Sequence, residues 1–288
     1  MKWQRARQSE NVEDRRGMGL GGGVGRLGLG GVAIVVVLAL LLGKNPLELL
    51  GLLAQQGDGG VTQTPSTTGA PPANDQTAQF VAAILGSTED VWGALFRQSG
   101  GAYAPPKLVL FSGAVASTCG RATAAVGPFY CPGDHQVYLD TSFFDEMSAR
   151  LGGGGDFADA YVIAHEVGHH VQTLTGVSRT VAALRARGEP MEGDNGISVR
   201  RELQADCYAG VWANRAQQQY QWLEAGDVEE ALATASAIGD DRLQRQSQGT
   251  VIPDSFTHGT SEQRVRWFRA GFESGDVGRC DTFSTARP

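Results

Sequence analysis

The feature that most restricts how this chain can fold is AHEVGHHVQ, residues 164–172, with two histidines four positions apart and a glutamate directly after the first. On an α-helix, positions four apart lie on one face, so His165 and His169 can aim both imidazoles at one point. That spacing suits a single metal ion. Glu166, about 100° further round the helix, reaches a water held on such an ion more readily than the ion itself. Gly168 removes bulk beside the ligand face. Val162, Val167, Val171 and Leu174 anchor other sides, so this helix is expected to be buried.

A catalytic zinc takes three protein ligands and keeps a fourth position for water, so two histidines are incomplete. The downstream candidates are Asp194, Glu202, Asp206, His258 and Glu262. In VRRELQADCYAGVWA, residues 199–213, Glu202 and Asp206 stand one helical turn apart, with Ala205, Ala209 and Ala213 on nearly the same side. Small side chains let a second helix approach closely. Glu202 is therefore expected to complete the ligand set, with Asp206 orienting a ligating histidine through its other ring nitrogen. Zn2+ is the expected ion, although manganese or cobalt also suits histidine plus carboxylate.

HEVGH followed by ELQAD is similar to the gluzincin arrangement, in which zinc peptidases take the third ligand from a glutamate on a later helix. The wider chain resembles the bacterial neutral zinc metallopeptidase family. That likeness rests on KWQRARQSENVEDRR, GPFYCPGDHQVYLD, HEVGH, RRELQADCYAGVWA and THGTSEQRVRWF, and spans most of the chain. The resemblance implies His165, His169 and Glu202 as zinc ligands, Glu166 as general base and Asp206 as the residue behind a ligand. Membrane-associated zincins also carry a histidine six positions before an arginine, and His258 with Arg264 matches that spacing. His258 then either donates a hydrogen bond to the oxyanion or is a loop residue at the start of the helix that follows. His170 points away from the metal face and is expected to pack, and His135 to lie in a turn. QVYLD, by the same likeness, is expected to rim the cleft and pair with an extended peptide.

The N-terminal part behaves differently. Basic residues precede the uncharged run at 27–43, which as a helix spans about 25 Å, at the lower limit for a hydrocarbon core of about 30 Å. Arg26 and Lys44 extend that reach by snorkelling. A retained transmembrane helix is expected, in preference to a cleaved signal peptide. The charge bias puts a cytoplasmic tail at 1–26 and the catalytic domain outside the cytoplasm. Residues 44–76, rich in Gly, Thr, Ser and Pro, read as a flexible linker, leaving a domain at 77–288. That domain is expected to be α+β and mostly helical, a zincin-like fold with a small β-sheet.

Ser87 with Asp90 three positions on reads as a helix start, PKLVLFSG and HQVYLD as strands, and TSFFDEMSARLGG as a helix. Asp156 is expected to cap the metal helix. Further helices are expected at 198–219, 227–238 and 261–272, and a loop near the cleft at 188–196. Cys119, Cys131, Cys207 and Cys280 are even in number, and an exported location permits disulfides. Cys119 with Cys131 and Cys207 with Cys280 is one pairing, and four buried thiols is the other reading.

The net charge of −7 argues against nucleic acid as a partner. A peptide or protein substrate and a membrane are the expected partners. A zinc-binding scaffold without hydrolysis and a zinc amidase acting on cell-wall peptides are the competing functions.

Overall fold

The computed structural model describes residues 1–17, 69–151 and 154–288. The first strand, β1 (Val12–Asp14), follows a 3-10 turn at Trp3–Arg5. Helix α1 (Gln76–Gln98) leads to β2 (Lys107–Phe111), the hairpin β3 (Ala114–Ser117) and β4 (Gly120–Thr123), then β5 (Phe129–Cys131) and β6 (Gln136–Asp140). A short α2 (Ser142–Glu146) precedes α3 (Asp156–Thr175), α4 (Val177–Ala186), α5 (Ile197–Tyr220), α6 (Asp227–Ala237), α7 (Asp240–Gln248) and α8 (Ser261–Ser274).

The main sheet has the order β1-β2-β6-β5, with β1, β2 and β6 parallel and β5 antiparallel to β6. Side chains alternate across it as the two-residue period of a strand requires. Leu108, Leu110, Val137 and Leu139 enter the main core with the helices, while Val109, Phe111 and Tyr138 join Val115 and Cys131 in a second cluster. QVYLD is thus an interior strand with both flanks occupied, contrary to its expected role on the rim. The edge strand beyond it is β5, and β1 forms the opposite edge.

Helices α3, α5 and α8 position the site. They approach closely where side chains are missing: a Cβ on Gly168 would lie 3.0 Å from the Ala205 carbonyl oxygen, and one on Gly210 would strike the Phe268 carbonyl oxygen. Cys207–Cys280 ties α5 to the C-terminal segment and Cys119–Cys131 closes the loop around β4; no cysteine is free. Trp92, Trp212 and Trp222 are fully buried. Trp212 Nε1 donates to Ser87 Oγ at 3.0 Å, so Ser87 lies inside α1 rather than at a helix start. Asp75 is the true N-cap, accepting from the Ala78 N–H. Asp156 is the first residue of α3, with Gly155 as its N-cap.

The N-terminal segment requires the larger correction. Val12, Glu13 and Asp14 pair with Leu108, Val109 and Leu110, and Trp3 packs edge-on against Phe80. Glu89 of α1, nearly buried, accepts from Arg7, Ser9 and Asn11 at 2.5–2.7 Å. Arg16 pairs with Asp14 and Asp75 at 2.6 and 2.7 Å, and Asp14 bridges to Gly69. Residues 1–17 are therefore part of the folded body. They cannot lie across a membrane from residues 77–288, as the division at residue 26 with a cytoplasmic tail requires. The expected transmembrane helix at 27–43 lies outside the described residues, as does the linker up to residue 68. Among the described residues, no helix is long and apolar enough to cross a membrane.

Two outcomes are expected. In intact cells a membrane-impermeant thiol reagent labels single added cysteines at the exposed positions Glu10→Cys and Arg287→Cys alike, both or neither; labelling of one alone would contradict the β1 pairing. Glu89→Ala, which strands three donors, lowers stability by about 3 kcal/mol in urea unfolding and opens residues 1–17 to proteolysis.

Candidate metal centre

The metal helix, α3, begins after Gly155 and ends at Gly176, whose left-handed conformation (φ 84°) closes the helix. Asp156 in its first turn complements the helix dipole, whereas burial and then Asp156 raise the pKa of Asp159 to about 7. One turn apart on its inner face, the His165 and His169 rings stand 4.8 Å apart at 88°. Both Nε2 atoms face the same oxygen of Glu202 on α5, at 3.2 Å from His165 and 3.1 Å from His169. The three ligand atoms lie within 4.8 Å of one another. Tetrahedral zinc with bonds of about 2.0–2.2 Å separates its ligands by about 3.3 Å. The donor set and its spacing therefore fit a zinc ion.

The other ring nitrogens set the tautomers. His165 Nδ1 lies 2.8 Å from Asp206 and His169 Nδ1 lies 2.9 Å from Gln172 Oε1. Gln172 donates its amide to the Arg201 carbonyl and to Gln204, which fixes its oxygen towards His169. The acceptors on Nδ1 hold a proton there in both histidines, so the proton each would give up to a metal is the one on Nε2, which faces Glu202. Asp206 has no exposure and also accepts two bonds from Arg264 at 2.9 Å and one from the Tyr161 hydroxyl.

Burial and charge act against one another throughout the centre. Burial opposes ionisation of Asp206, but Arg264 and then His165 outweigh it and lower its pKa to about 2. Burial likewise opposes ionisation of Glu202, yet His169 and the hydrogen bonds from both imidazoles hold its carboxyl well below the ordinary range. Burial disfavours a charged His165, but Asp206 and Glu202 raise its pKa to about 10.

Glu166 is 8% exposed and lines the same cavity as His165 and Glu202. Burial raises its pKa above the usual carboxylate value, against the pull of His165 and His169 and a hydrogen bond from the Tyr130 backbone. His258 also lines this cavity, half exposed, with Nδ1 held by Thr257 at 2.8 Å and Asp240 at 3.3 Å. Asp240 further accepts the backbone N–H groups of Thr257, His258 and Gly259, fixing the loop. Arg264, six positions after His258, is buried against Asp206.

His170 packs among Tyr103, Tyr130 and His135, bonded to Tyr130 and the Ala104 carbonyl. Burial lowers its pKa to about 4. His135 sits in a turn at φ 57°. The loop at 188–196 bonds to Phe256 through Gly193 and does not line the cavity. Asp194 and Glu262 are not among the converging ligands.

Sequence reasoning missed Tyr161, Gln172 and Asp240. Tyr161 stands four positions before His165, and Gln172 three after His169, so helical spacing was a usable signal for both. Nothing local marks Asp240, whose partners lie 17 to 19 positions away.

Zinc measured by elemental analysis of the full chain is expected to fall from stoichiometric to near zero in His165→Ala and Glu202→Ala. Gln172→Leu is expected to weaken zinc affinity about 10–100-fold. Undiminished zinc in Glu202→Ala would remove that residue from the ligand set.

The chain matches, over residues 1–283, the model of a family described as "Putative neutral zinc metallopeptidase". It is 51% identical to "Uncharacterized protein YpfJ" of Escherichia coli K12, covering 98% of this chain and 99% of that one. It is 43% identical to "Uncharacterized protein Rv2575" of Mycobacterium tuberculosis H37Rv and to "Uncharacterized protein Mb2605" of Mycobacterium bovis, covering 86% of both chains in each case. No solved structure matches. Full-length similarity and a match that takes in β1, the metal helix and α8 alike place this chain in the neutral zinc metallopeptidase family.

Proposed function

We propose that the chain is a zinc-dependent peptidase that hydrolyses peptide bonds, with Glu166 as general base. The observation that carries this reading is the convergence of His165, His169 and Glu202 on one point beside the buried carboxyl of Glu166. Zinc, when bound there, supplies a positive centre that lowers the pKa of a water from about 15.7 towards 7 and polarises a carbonyl. Glu166 accepts the proton of the attacking water as its oxygen bonds to the carbonyl carbon. The same carboxyl then gives that proton to the leaving nitrogen as the C–N bond breaks. His258, with Nδ1 accepting from the Thr257 hydroxyl at 2.8 Å, keeps its proton on Nε2 and donates it to the carbonyl oxygen as negative charge develops. Asp206 keeps His165 in its ligating tautomer.

An extended substrate lies beside β5, the outer strand, preceded by Gly127 and Pro128 in the cavity wall. Two disulfides support an oxidising, extracytoplasmic setting for the body. Membrane association through residues 27–43 rests on the apolar sequence alone, with residues 1–17 and 69–288 on one side.

Glu166→Gln is expected to abolish cleavage of a peptide library while zinc content stays normal. His258→Ala is expected to lower kcat about 10²–10³-fold, the loss seen when one oxyanion donor is removed. Full cleavage by Glu166→Gln would refute the general-base role. Zinc binding without cleavage by the wild-type chain, with function intact in Glu166→Gln, would identify a scaffold.

A further inference from the structure

Six residues of the cavity beside the metal centre take no part in the mechanism above: Val126, Pro128, Phe143, Val162, Ile238 and Leu243. All six are apolar. Val162 stands on α3 four positions before Glu166 and three before His165, so it lies on the same helix face as the general base and a metal ligand. The apolar wall therefore begins where the scissile bond would be held. The cavity measures about 270 Å³, just below the range of about 300–1,000 Å³ for small-molecule sites. That volume suits one large side chain with its own backbone, and is too small for an extended cofactor.

The charged groups that also border the cavity are already engaged. Arg264 is neutralised by Asp206, Glu202 faces both imidazoles, Glu166 accepts from the Tyr130 backbone, and the His258 Nδ1 is held by Asp240 and Thr257. A charged side chain entering here loses its hydration without gaining a free counter-charge. An apolar one gains about 25 cal/mol per Å² removed from water.

One wall is fixed in advance. Ile238 ends α6 at a sharp corner before α7, and a Cβ on Gly239 would lie 2.4 Å from the Ser261 backbone nitrogen. Ser261 Oγ donates to the Ser236 carbonyl, Asp241 accepts from Ser261, and Arg264 donates to the Ile238 carbonyl. These bonds hold the corner, and with it Ile238 and Leu243, against α8. The opposite lip is open: Val126 is 63% exposed.

We infer that this cavity is a specificity pocket for one large apolar side chain, of the leucine, methionine or phenylalanine kind, on a residue flanking the scissile bond, and that Ile238 and Leu243 set its depth and its exclusion of charge. The inference rests on the peptidase reading and deepens it.

The test uses the zinc-loaded full chain, a randomised peptide library with cleavage sites mapped by mass spectrometry, and two hydroxamate dipeptides that differ only in carrying leucine or aspartate. Leucine is expected to exceed alanine by at least about 10-fold in kcat/KM at one flanking position, and aspartate by about 100-fold. Leu243→Arg, at a half-buried position that tolerates a long side chain, is expected to shift that preference towards acidic residues. Ile238→Ala is expected to admit tryptophan. Cleavage without an apolar preference, or a preference unchanged in both variants, would overturn the pocket and leave the peptidase standing. Absence of all cleavage, with tighter binding of the leucine hydroxamate that is lost in Leu243→Arg, would keep the pocket and remove the peptidase. Equal binding of the two hydroxamates without any cleavage would overturn both.

Discussion

A carboxylate with no exposure to solvent sits where three helices meet. Asp206, on α5, is bonded to His165 and Tyr161 on α3 and to Arg264 on α8. A buried ion of this kind is tolerable only while its partners are complete, and removing one costs about 3–5 kcal/mol. Metal geometry and helix packing are therefore one problem. The imidazole placed to ligate a metal is aimed by the same group that fixes the distance between helices. Close backbone approach at Gly168 and Gly210 makes those contacts reachable, because one methyl group at either point would push the helices apart. Cys207–Cys280, next in sequence to Asp206, holds the C-terminal segment in the same arrangement.

The corner between α6 and α7 plays a comparable part on the other side of the cleft. Asp240 gathers three backbone N–H groups of the 257–259 loop and turns the ring of His258 towards the cavity. Two residues earlier, Ile238 borders the same space. His258 and Ile238 are thus held to one corner of the fold through Asp240. Displacing that corner would move both residues together.

Much of the centre was legible because its information is local. His165, Glu166 and His169 lie within two turns of helix, and the alanines beside Glu202 announced a close-packed second helix. The expected helices at 198–219, 227–238 and 261–272 match α5, α6 and α8 to within two residues at either end. What escaped the reading depends on distant partners. Asp240 is an ordinary helix-start acid until the 257–259 loop folds onto it. QVYLD alternates as any half-buried strand does, and nothing in five residues reveals that β2 and β5 occupy both its flanks. In α1, Ser87 looked like a cap because its role is to satisfy an indole on α5, 125 positions away. The N-terminal segment misled most: KWQRARQSENVEDRR reads as a basic tail by charge, whereas Arg7, Arg15 and Arg16 are spent on acidic groups of α1 and its own strand, and Arg5 on backbone carbonyls at the end of α5.

The parallel pairing of β1 with β2 also bears on how the protein is made. Val12 leaves the ribosome well before its partner Leu108, a delay of about 5–20 s at ordinary elongation rates of about 5–20 residues per second. Throughout that interval the first strand has no neighbour. The apolar stretch at 27–43 emerges during the same wait, so the nascent chain meets any membrane or targeting machinery with its opening strand still unfolded. Closure of the sheet is a late, long-range event, of the kind that slows folding.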